Sequence, residues 1–352
     1  MNVSLDCIIF GLQRFGGISN YWERVLEFMR ESHVNRQLIL PKQVLFSGYA
    51  AAEDATPSRI ETLPAKVSRY LPVRARADTV FHTSYYRRPS SRVGKYVVTV
   101  YDFIYERYRS GLARQVHTRQ KLASVRSADA VICISHCTRE DVLQFCPTVD
   151  PANVHVVHLG VDFDTYYPEP AANEAMEDSI VLFVGQRGGY KRFDLAIEAV
   201  RQCPGMTLGI VGPGLTSQEQ ALLRARLGTR WSALGPVSSA QLRRLYSQAF
   251  AFIFPSDYEG FGLPVLEAMA CGCPVVAAAT ASLPEVGGTA AMYAQEQRPE
   301  DFARALTALQ STERRAGLIE AGLAHCRPFS WARTGTQTLA VYAGHPPRNE
   351  AR

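Results

Sequence analysis

Short apolar runs alternate with amphipathic segments along nearly the whole chain, which is the pattern of parallel strands joined by helices. In the first half the runs predict strands at Val3–Phe10, Gln37–Leu40, Thr79–His82, Tyr96–Tyr101, Ala130–Ile134 and Val154–Val157. In the second half they predict strands at Ile180–Val184, Thr207–Val211, Ala251–Phe254, Pro274–Ala278 and Ala291–Tyr293. Helical periodicity fits Ile18–Arg30, Leu112–Ser127, Thr138–Phe145, Phe193–Gln202, Ser217–Leu227, Ser239–Ser247, Glu300–Leu309 and Trp331–Tyr342. This alternation predicts an α/β fold built from βαβ units.

The chain has 352 residues, which is enough for two domains that each have their own core. A segment rich in prolines, acids and alanines, Asp162–Ser179, predicts the boundary between them. We therefore expect domains at 1–164 and 165–328, followed by a last helix and tail at 329–352. The tail from Gly344 is expected to be disordered. The N-terminal apolar run predicts a first strand rather than a secretion signal.

Composition narrows the class of protein. Eight cysteines are scattered without zinc-ligand spacing, so we expect reduced, buried thiols in a cytoplasmic protein. Arg59–Arg126 holds 15 Lys and Arg against 4 Asp and Glu, a balance of +11, although the whole chain is only +5. This basic region indicates an anionic partner, such as a phosphate-linked lipid acceptor or an anionic membrane surface, or a solvated arginine-rich face. No basic helix with interleaved aromatics accompanies it, so nucleic acid is not expected.

The most informative segment surrounds two glutamates, Glu259 and Glu267. It predicts a strand, a glycine-bearing turn and a helix, with Pro264 in the first turn of the helix and Gly272 at its end. The N–H groups that open such a helix favour an anion. A carboxylate beside them has two oxygens that suit a vicinal diol. The pattern indicates a site for a phosphate joined to a sugar.

This segment resembles the Glu-x7-Glu signature of the retaining family 4 glycosyltransferases, with Glu-Gly-Phe-Gly-Leu-Pro and Glu-Ala-Met-Ala inside it. The resemblance implies the GT-B fold: two Rossmann-like domains that face a cleft, with the C-terminal helix crossing back to the N-terminal domain. It implies that Glu259 and the backbone of Phe261, Gly262 and Leu263 face the donor sugar. It implies that Glu267 holds the ribose of the nucleotide.

Two cations in a glycine-containing turn, Arg187 and Lys191, follow the strand that ends at Val184. Paired cations close to exposed backbone suit a diphosphate, and fixed positive charge stabilises a diphosphate leaving group. A solvated turn is the other interpretation of the two residues alone. The family resemblance implies that Arg187 and Lys191 bind the diphosphate.

Other positions carry weaker signals. Gly16 and Gly17 resemble the glycine turn that approaches the donor phosphates and the acceptor in the family, and Val237 resembles the stretch that lines the base pocket. Asp102 matches the family pattern and is a candidate catalytic residue. Tyr101 stands where many relatives carry a His that faces the donor sugar, so Tyr101 either changes donor choice or simply packs. His82 and His117 are acceptor-side candidates or structural residues.

We therefore predict a retaining, metal-independent hexosyltransferase that moves a sugar from a nucleotide diphosphate sugar of GDP or UDP type to a glycan or lipid-linked acceptor. The donor sugar is predicted to be of mannosyl or 6-deoxyhexosyl type, and the setting is bacterial surface polysaccharide or lipopolysaccharide assembly at the cytoplasmic face of the membrane. No cofactor is expected. Asp162 and Asp164 mimic a metal-binding motif, but they lie in the linker and are not expected to bind metal. Two alternatives stay open: a non-catalytic nucleotide-sugar-binding partner, and a GT-B epimerase or phosphorylase.

Overall fold

The chain divides into two compact units. The computed structural model describes residues 1–14, 16–45, 59–169 and 179–345. Unit 1 comprises Met1–Gly160 and Trp331–Arg352, and unit 2 comprises Val161–Ser330. The observed division after Gly160 therefore comes slightly before the expected one at 164. Phe15, half of the predicted linker (170–178) and most of the predicted disordered tail (346–352) lie outside the described residues.

Unit 1 contains one parallel sheet with helices packed against it. Its strands are β1 (Asn2–Asp6), β2 (Asn35–Leu40), β3 (Arg59–Ile60), β4 (Val80–Thr83), β5 (Lys95–Val100), β6 (Ala130–Cys133) and β7 (Val154–Val156). Its helices are α1 (Gly17–Glu31), α2 (Ala65–Ser68), α3 (Ile104–Tyr108), α4 (Gly111–Ser127), α5 (His136–Phe145) and α13 (Trp331–Tyr342). The sheet order is β3-β2-β1-β4-β5-β6-β7, with every neighbouring pair parallel. Such a sheet is buried on both faces, which explains why its strands appear as continuous apolar runs rather than alternating ones.

A buried ion pair fills the point in unit 1 where the strand order reverses, between β1 and β4. The Asp6 carboxylate accepts hydrogen bonds from Arg87 Nη1 at 2.9 Å and from Thr83 Oγ1 at 3.0 Å. Arg87 also lies 3.4 Å from Glu61 and donates its Nε to the carbonyl of Leu71. Burial raises the pKa of Asp6 to about 6, even though the Arg87 charge acts in the opposite direction. These contacts fix the loop after β4 against the sheet.

The C-terminal helix α13 is part of unit 1, as the family resemblance implied. It packs on α1, where the ring of Phe28 lies so close to Gly335 that a Cβ there would come within 2.2 Å of it. Tyr342 hydrogen-bonds to the buried His82 at 2.6 Å, and the other nitrogen of this imidazole lies 2.9 Å from Thr99 Oγ1. Burial lowers the pKa of His82 to about 3, so the ring is neutral. His82 is therefore a structural residue that helps to hold the returning helix.

Unit 2 also contains one parallel sheet with helices packed against it. Its strands are β8 (Ile180–Val184), β9 (Thr207–Val211), β10 (Trp231–Gly235), β11 (Ala251–Phe254), β12 (Val275–Ala278) and β13 (Met292–Ala294). Its helices are α6 (Phe193–Arg201), α7 (Ser217–Leu227), α8 (Ser239–Gln248), α9 (Leu263–Ala270), α10 (Leu283–Gly287), α11 (Pro299–Ala308) and α12 (Thr312–Cys326). The strand order is β10-β9-β8-β11-β12-β13, and all pairs are parallel. Both units are thus parallel-sheet α/β domains, which confirms the predicted fold class.

Three local predictions were wrong. The first strand ends at Asp6 rather than Phe10, because Ile8–Gly11 turns into a 3₁₀ helix after Cys7 N–H donates to Ile39 O. The edge strands β3 and β10 were missed, since neither is an apolar run of the kind that marks buried strands. Helix α12 was missed as well, and its weakly segregated apolar positions explain why.

All eight cysteines are free, and every one except the half-buried Cys137 is buried. This agrees with the expectation of thiols rather than a disulfide framework. Within the described residues, no helix combines the length and the apolar character needed to span a bilayer.

Candidate functional site

The two loops of unit 2 that carry Lys191 and Glu259 follow strands at the point where the strand order of the sheet reverses. β8 and β11 are neighbours in the sheet, although two strands separate them in the chain. The connections that follow them, 185–192 and 255–262, therefore meet at the carboxyl end of the sheet. In open α/β sheets, ligands bind at this topological switch point.

Three contacts join these two loops. Asp257 N–H donates to Tyr190 O at 2.7 Å, and Arg192 Nη1 lies 3.2 Å from Asp257 Oδ1. Lys191 Nζ lies 2.5 Å from Glu259 Oε1, and the two side chains keep 17% and 11% of their surface exposed. The structure thus brings together the cation and the carboxylate that the sequence motifs had proposed separately. A largely desolvated pair of this kind interacts more strongly than one on the surface.

A buried serine holds the turn that carries Glu259. The hydroxyl of Ser282 lies 2.9 Å from Glu259 O and 2.7 Å from Phe261 O. Gly262 has φ 101°, and a Cβ at this position would lie 2.7 Å from Leu283 Cδ2, so both the backbone and the neighbouring side chain require glycine. The turn therefore presents the start of α9 in one fixed conformation. Sequence analysis missed Ser282, although its place after β12 and before Leu283-Pro284 was a usable signal.

The first helical turn of α9 matches the prediction, with Leu263 first and Pro264 second. Proline is favoured there because its missing N–H is one that has no partner within the helix. Gly272 follows the helix with φ 73°. Glu267 is the fifth residue of α9.

Glu267 lies in a poorly hydrated environment. Burial raises the pKa of Glu267 to about 7, and a hydrogen bond from Tyr166 partly opposes this shift. The Tyr166 hydroxyl also receives a hydrogen bond from Ser239. Burial therefore favours the protonated form of Glu267 more than that of an exposed glutamate. The motif search did not find Tyr166, because it lies about one hundred residues before Glu267 in a segment without a clear pattern.

Arg187 does not join the Lys191–Glu259 pair. Its Nε lies 2.7 Å from Glu219 Oε1, and its Nη2 donates to Gly214 O at 2.8 Å. The side chain is 6% exposed, and its buried Nη1 has no hydrogen-bond partner among the described residues. The Arg187 guanidinium, together with the Thr216 cap, lowers the pKa of Glu219. The two predicted diphosphate ligands are thus engaged with different elements, Lys191 with the Glu259 turn and Arg187 with the start of α7.

Val237 follows the edge strand β10 and is half-buried. The turn before it is bound to its neighbour, since Gly212 N–H donates to Gly235 O at 3.0 Å. Gly185 N–H in turn donates to Val211 O at 2.9 Å. Successive strands therefore end in a row of connected glycine turns. Backbone hydrogen bonds thus link the ends of β8, β9 and β10.

In unit 1, the predicted positions start or precede helices. Gly16 is the residue before α1 and Gly17 is its first residue, and a Cβ on Gly17 would meet nothing within 4 Å. Asp102 is half-buried, and its Oδ1 accepts from Ile104 N at 3.0 Å, at the start of α3. One carboxylate oxygen of Asp102 is thus used to begin that helix.

Tyr101 is part of the packed interior of unit 1. Its hydroxyl accepts from Trp22 Nε1 at 2.6 Å and donates to Ser84 O at 3.3 Å. The residue is 5% exposed, and its ring meets Tyr21 edge-on. The geometry supports the packing interpretation of this position rather than direct contact with a donor sugar.

A buried ionic cluster lies beside Asp102 and was missed by the motif search. Lys121 Nζ is fully buried, lies 2.8 Å from Glu106 Oε2 and donates to Asp102 O at 2.7 Å. His117 lies 3.5 Å from Glu106 and stacks on Tyr105 at 4.0 Å. Burial acts to raise the pKa of Glu106, but His117 and Lys121 outweigh it and lower that pKa to about 2. His117 is therefore tied into this cluster, which fixes α3 against α4.

The Asp162–Asp164 triplet caps its own turn. Asp162 Oδ1 accepts from Asp164 N at 3.2 Å, and its Oδ2 accepts from Thr165 Oγ1 at 2.5 Å. Local turns of this type are a common use of aspartate. The contacts of Asp162 thus give it a structural role in the segment that opens unit 2.

Comparisons with known proteins agree with this architecture. Residues 16–165 match the family model Glycosyltransferase Family 4, and residues 169–324 match the model Glycosyl transferases group 1. The alpha-maltose-1-phosphate synthase of Mycolicibacterium smegmatis is 33% identical over 259 residues, which are 65% of this chain and 66% of that protein. The O-antigen chain mannosyltransferase B of Escherichia coli is 44% identical over 110 residues, 31% of this chain and 29% of that protein. The matched regions span less than two thirds of these curated relatives.

Solved structures show the same fold over nearly the whole chain. The sucrose-phosphate synthase of Thermosynechococcus elongatus has a TM-score of 0.75 at 18% identity and covers 98% of each chain. HepE of Anabaena, in complex with UDP and glucose, has a TM-score of 0.74 at 18% identity and covers 98% of this chain and all of that one. At this level of identity the likeness concerns the fold alone.

Proposed function

We propose, because the chain belongs to the family 4 glycosyltransferases, that it transfers a hexosyl group from a nucleotide diphosphate sugar to an acceptor with retention of anomeric configuration. The Lys191–Glu259 pair carries this proposal. It lies at the switch point of unit 2, next to a rigid turn that opens α9. A cation, a carboxylate and helix N–H groups at one point suit a phosphate joined to a sugar.

The donor is assigned to unit 2 as follows. Lys191 contacts the diphosphate, and the backbone of Phe261, Gly262 and Leu263 faces the donor sugar together with Glu259. A lysine ammonium has three N–H donors, so Lys191 can keep its hydrogen bond to Glu259 while it reaches a phosphate oxygen. Glu259 is thereby left with a second oxygen for a sugar hydroxyl.

The nucleoside is assigned to the neighbouring residues of unit 2. Glu267 accepts hydrogen bonds from the ribose diol, and the stretch around Val237 lines the base, mostly through backbone. Glu267 must be ionised to accept both hydroxyl protons, so nucleotide binding competes with its protonation. Solved structures of HepE of Anabaena in complex with UDP and with UDP-glucose support a nucleotide sugar as the donor.

Arg187 is better suited to positioning than to direct contact with the diphosphate. Its guanidinium would have to leave Glu219 and Gly214 O before it could bind a phosphate with the same nitrogens. In its present place it anchors the loop that carries Lys191 to the start of α7. Lys191 then supplies the main side-chain charge for the leaving diphosphate.

Retention follows the description usual for this family, in which the acceptor enters on the face that the leaving group vacates. No protein nucleophile is required, and Glu259 orients the sugar. We propose that no divalent cation takes part, since Lys191 and the helix N–H groups supply the positive potential. Activity that survives exhaustive chelation supports this assignment, whereas activity that returns only with magnesium or manganese overturns it.

The setting proposed is assembly of a bacterial surface polysaccharide. The similarity of a 110-residue region to an O-antigen mannosyltransferase supports it. Unit 1, with Gly16, Gly17 and Asp102, is assigned to the acceptor side.

The basic region of unit 1, Arg59–Arg126, also exposes large apolar side chains, among them Leu112 on α4 and Tyr70 after α2. Basic and apolar groups together suit reversible contact with an anionic leaflet, which a salt-dependent co-sedimentation with anionic but not neutral vesicles would test.

A thermal-shift screen over nucleotide diphosphates and their sugars tests the donor assignment. A ligand at 100 times its dissociation constant stabilises the folded protein by about 2.7 kcal/mol. We expect one nucleotide family to raise the melting temperature and Glu267→Ala to reduce the shift at the same ligand concentration, since loss of a charged hydrogen bond weakens binding at least tenfold. Release of free nucleotide with a crude acceptor extract then separates a transferase from a non-catalytic binding partner or an epimerase. The absence of any nucleotide effect would refute the proposal.

A further inference from the structure

A small cavity in unit 1 is lined by arginines from three separate segments. Its volume is about 260 Å³, and we call it the arginine pocket. Its walls come from the stretch after α2, the loop after β4 and the middle of α4, with lining residues Arg69, Tyr86, Arg87, Arg88, Arg119 and Gln120. This volume is slightly below that of sites for drug-sized ligands, about 300–1,000 Å³, and suits one small charged group with a short attachment.

Three of the four arginines carry charge that no acidic group balances. Arg87 is neutralised by Asp6 and Glu61. Arg69, Arg88 and Arg119 form no ion pair with any residue in the described ranges. Within the described residues, the lining of the pocket also contains no aspartate or glutamate. Three like charges around one small space repel each other, and a bound anion would convert this repulsion into attraction.

Two polar atoms beside the pocket have no hydrogen-bond partner among the described residues: Arg69 Nε and Gln120 Oε1. The amide nitrogen of Gln120 is already used, since it donates to Arg69 O. Buried polar atoms are seldom left without a partner. Arg69 Nε is a donor, which suits an anionic oxygen, and Gln120 Oε1 is an acceptor, which suits a hydroxyl of the bound group.

One lining residue of the pocket, Tyr86, is held in an unusual conformation. Tyr86 has φ 54°, in the left-handed region that residues other than glycine seldom adopt. Its ring meets His117 edge-on and lies 5.5 Å from Lys121 Nζ, within the buried ionic cluster. Strained backbone that its surroundings hold in place is concentrated at ligand sites. The Tyr96 hydroxyl donates to Arg87 O at 3.0 Å and braces the same loop.

We propose that the arginine pocket binds a phosphate group, and that this phosphate belongs to the acceptor. The second part rests on the proposed glycosyltransferase function, whereas the first does not. Planar guanidinium groups suit phosphate, and the acceptor oxygen of Gln120 suits a hydroxyl on the attached group. The phosphate comes either from a soluble phosphorylated sugar or from a lipid phosphate headgroup, and both present the same chemistry to the pocket.

The test is isothermal titration of the purified protein with inorganic pyrophosphate and with glucose 1-phosphate, using glucose as the uncharged control. Arg119→Gln and Arg88→Gln alter exposed side chains, so both variants should fold. Arg114→Gln is the matched control, because Arg114 is an exposed arginine of the same helix that does not line the pocket. Loss of one charged hydrogen bond should weaken phosphate binding at least tenfold in the two pocket variants and leave Arg114→Gln unchanged.

A second arm uses phosphatidylcholine vesicles with and without phosphatidic acid. Binding that appears only with phosphatidic acid, and that falls in the pocket variants alone, supports the site and identifies a lipid phosphate as its source. Equal losses in all three variants, or no phosphate binding in either arm, overturn the proposal.

Lys191→Ala separates the two proposals. It should impair donor binding in unit 2 and leave phosphate binding to the pocket intact. Loss of pocket binding in Lys191→Ala would show that the phosphate lies in unit 2, which contradicts the pocket. Intact pocket binding without any nucleotide effect in the wild type would instead remove the donor assignment and keep the pocket.

Discussion

The most direct prediction concerns the charge on Glu267. If the ribose diol needs the ionised carboxylate, donor affinity must depend on pH around the pKa of about 7 that burial produces. The ionised fraction is then about 0.1 at pH 6 and about 0.9 at pH 8. Because the apparent dissociation constant varies inversely with the competent fraction, affinity should rise about tenfold over this range. Glu267→Gln removes the titration and should bind more weakly at every pH.

The assay is calorimetric titration between about pH 6 and pH 8 with whichever of UDP-glucose and GDP-mannose binds more tightly. A nucleotide sugar is preferable to a free nucleoside diphosphate, because its diphosphate has no terminal phosphate group to titrate near neutral pH. Glu267→Gln keeps the size of the side chain and is the matched control. The wild type should release a proton on binding near pH 7, and the variant should not.

The same group gives a stability prediction of definite sign. Its pKa rises from 4.5 in the unfolded chain to about 7 in the fold, so the folded state holds the proton more tightly. Stability from this group is complete below about pH 4.5 and is lost as pH rises through 7. Judged by its exposed surface, Glu267 is only half-buried, so we expect a loss of about 1–3 kcal/mol relative to Glu267→Gln. Wild-type affinity that is flat across pH, or a variant with wild-type affinity, would refute the ribose assignment.

The remaining predictions concern single positions. Lys191→Ala should lower kcat/KM by at least tenfold, since it removes a charge-assisted hydrogen bond to the leaving diphosphate, and steady-state kinetics with fixed acceptor measures this. Glu219→Gln should lower both the melting temperature and activity if Arg187 is a support, whereas tighter donor binding in this variant would show that released Arg187 binds phosphate. Ser282→Ala should destabilise the protein by about 1–2 kcal/mol in urea unfolding and lower kcat more than it raises KM, unless the Glu259 turn holds its shape without the hydroxyl. Tyr101→His should lower stability with the ranking of hexose and 6-deoxyhexose donors unchanged, and an altered ranking would restore Tyr101 as a selectivity residue.

The site itself shows how far local patterns reach. Pro264 and the glycine at 272 bracketed α9 correctly, because helix starts and stops are set by the backbone limits of single residues. The apolar runs of β8 and β11 were equally clear, since parallel strands buried on both faces have no alternation to obscure them. Two of the four edge strands, β3 and β10, are not continuous apolar runs and were missed, whereas the edge strands β7 and β13 were predicted.

The sequence by itself determined the fold class, the Glu259 turn and the identities of the charged residues around it. It did not determine which charges meet. Lys191 and Glu259 are 68 residues apart, and Arg187 and Glu219 are 32 apart, yet each forms an ion pair. Two cations four positions apart in one turn look equivalent in sequence. Only the reversal of strand order, which places β11 on one side of β8 and β9 on the other, sends Lys191 to the Glu259 turn and Arg187 to α7. Pairing of distant charges depends on the order of strands in the sheet, and that order is a property of the packed chain rather than of any local segment.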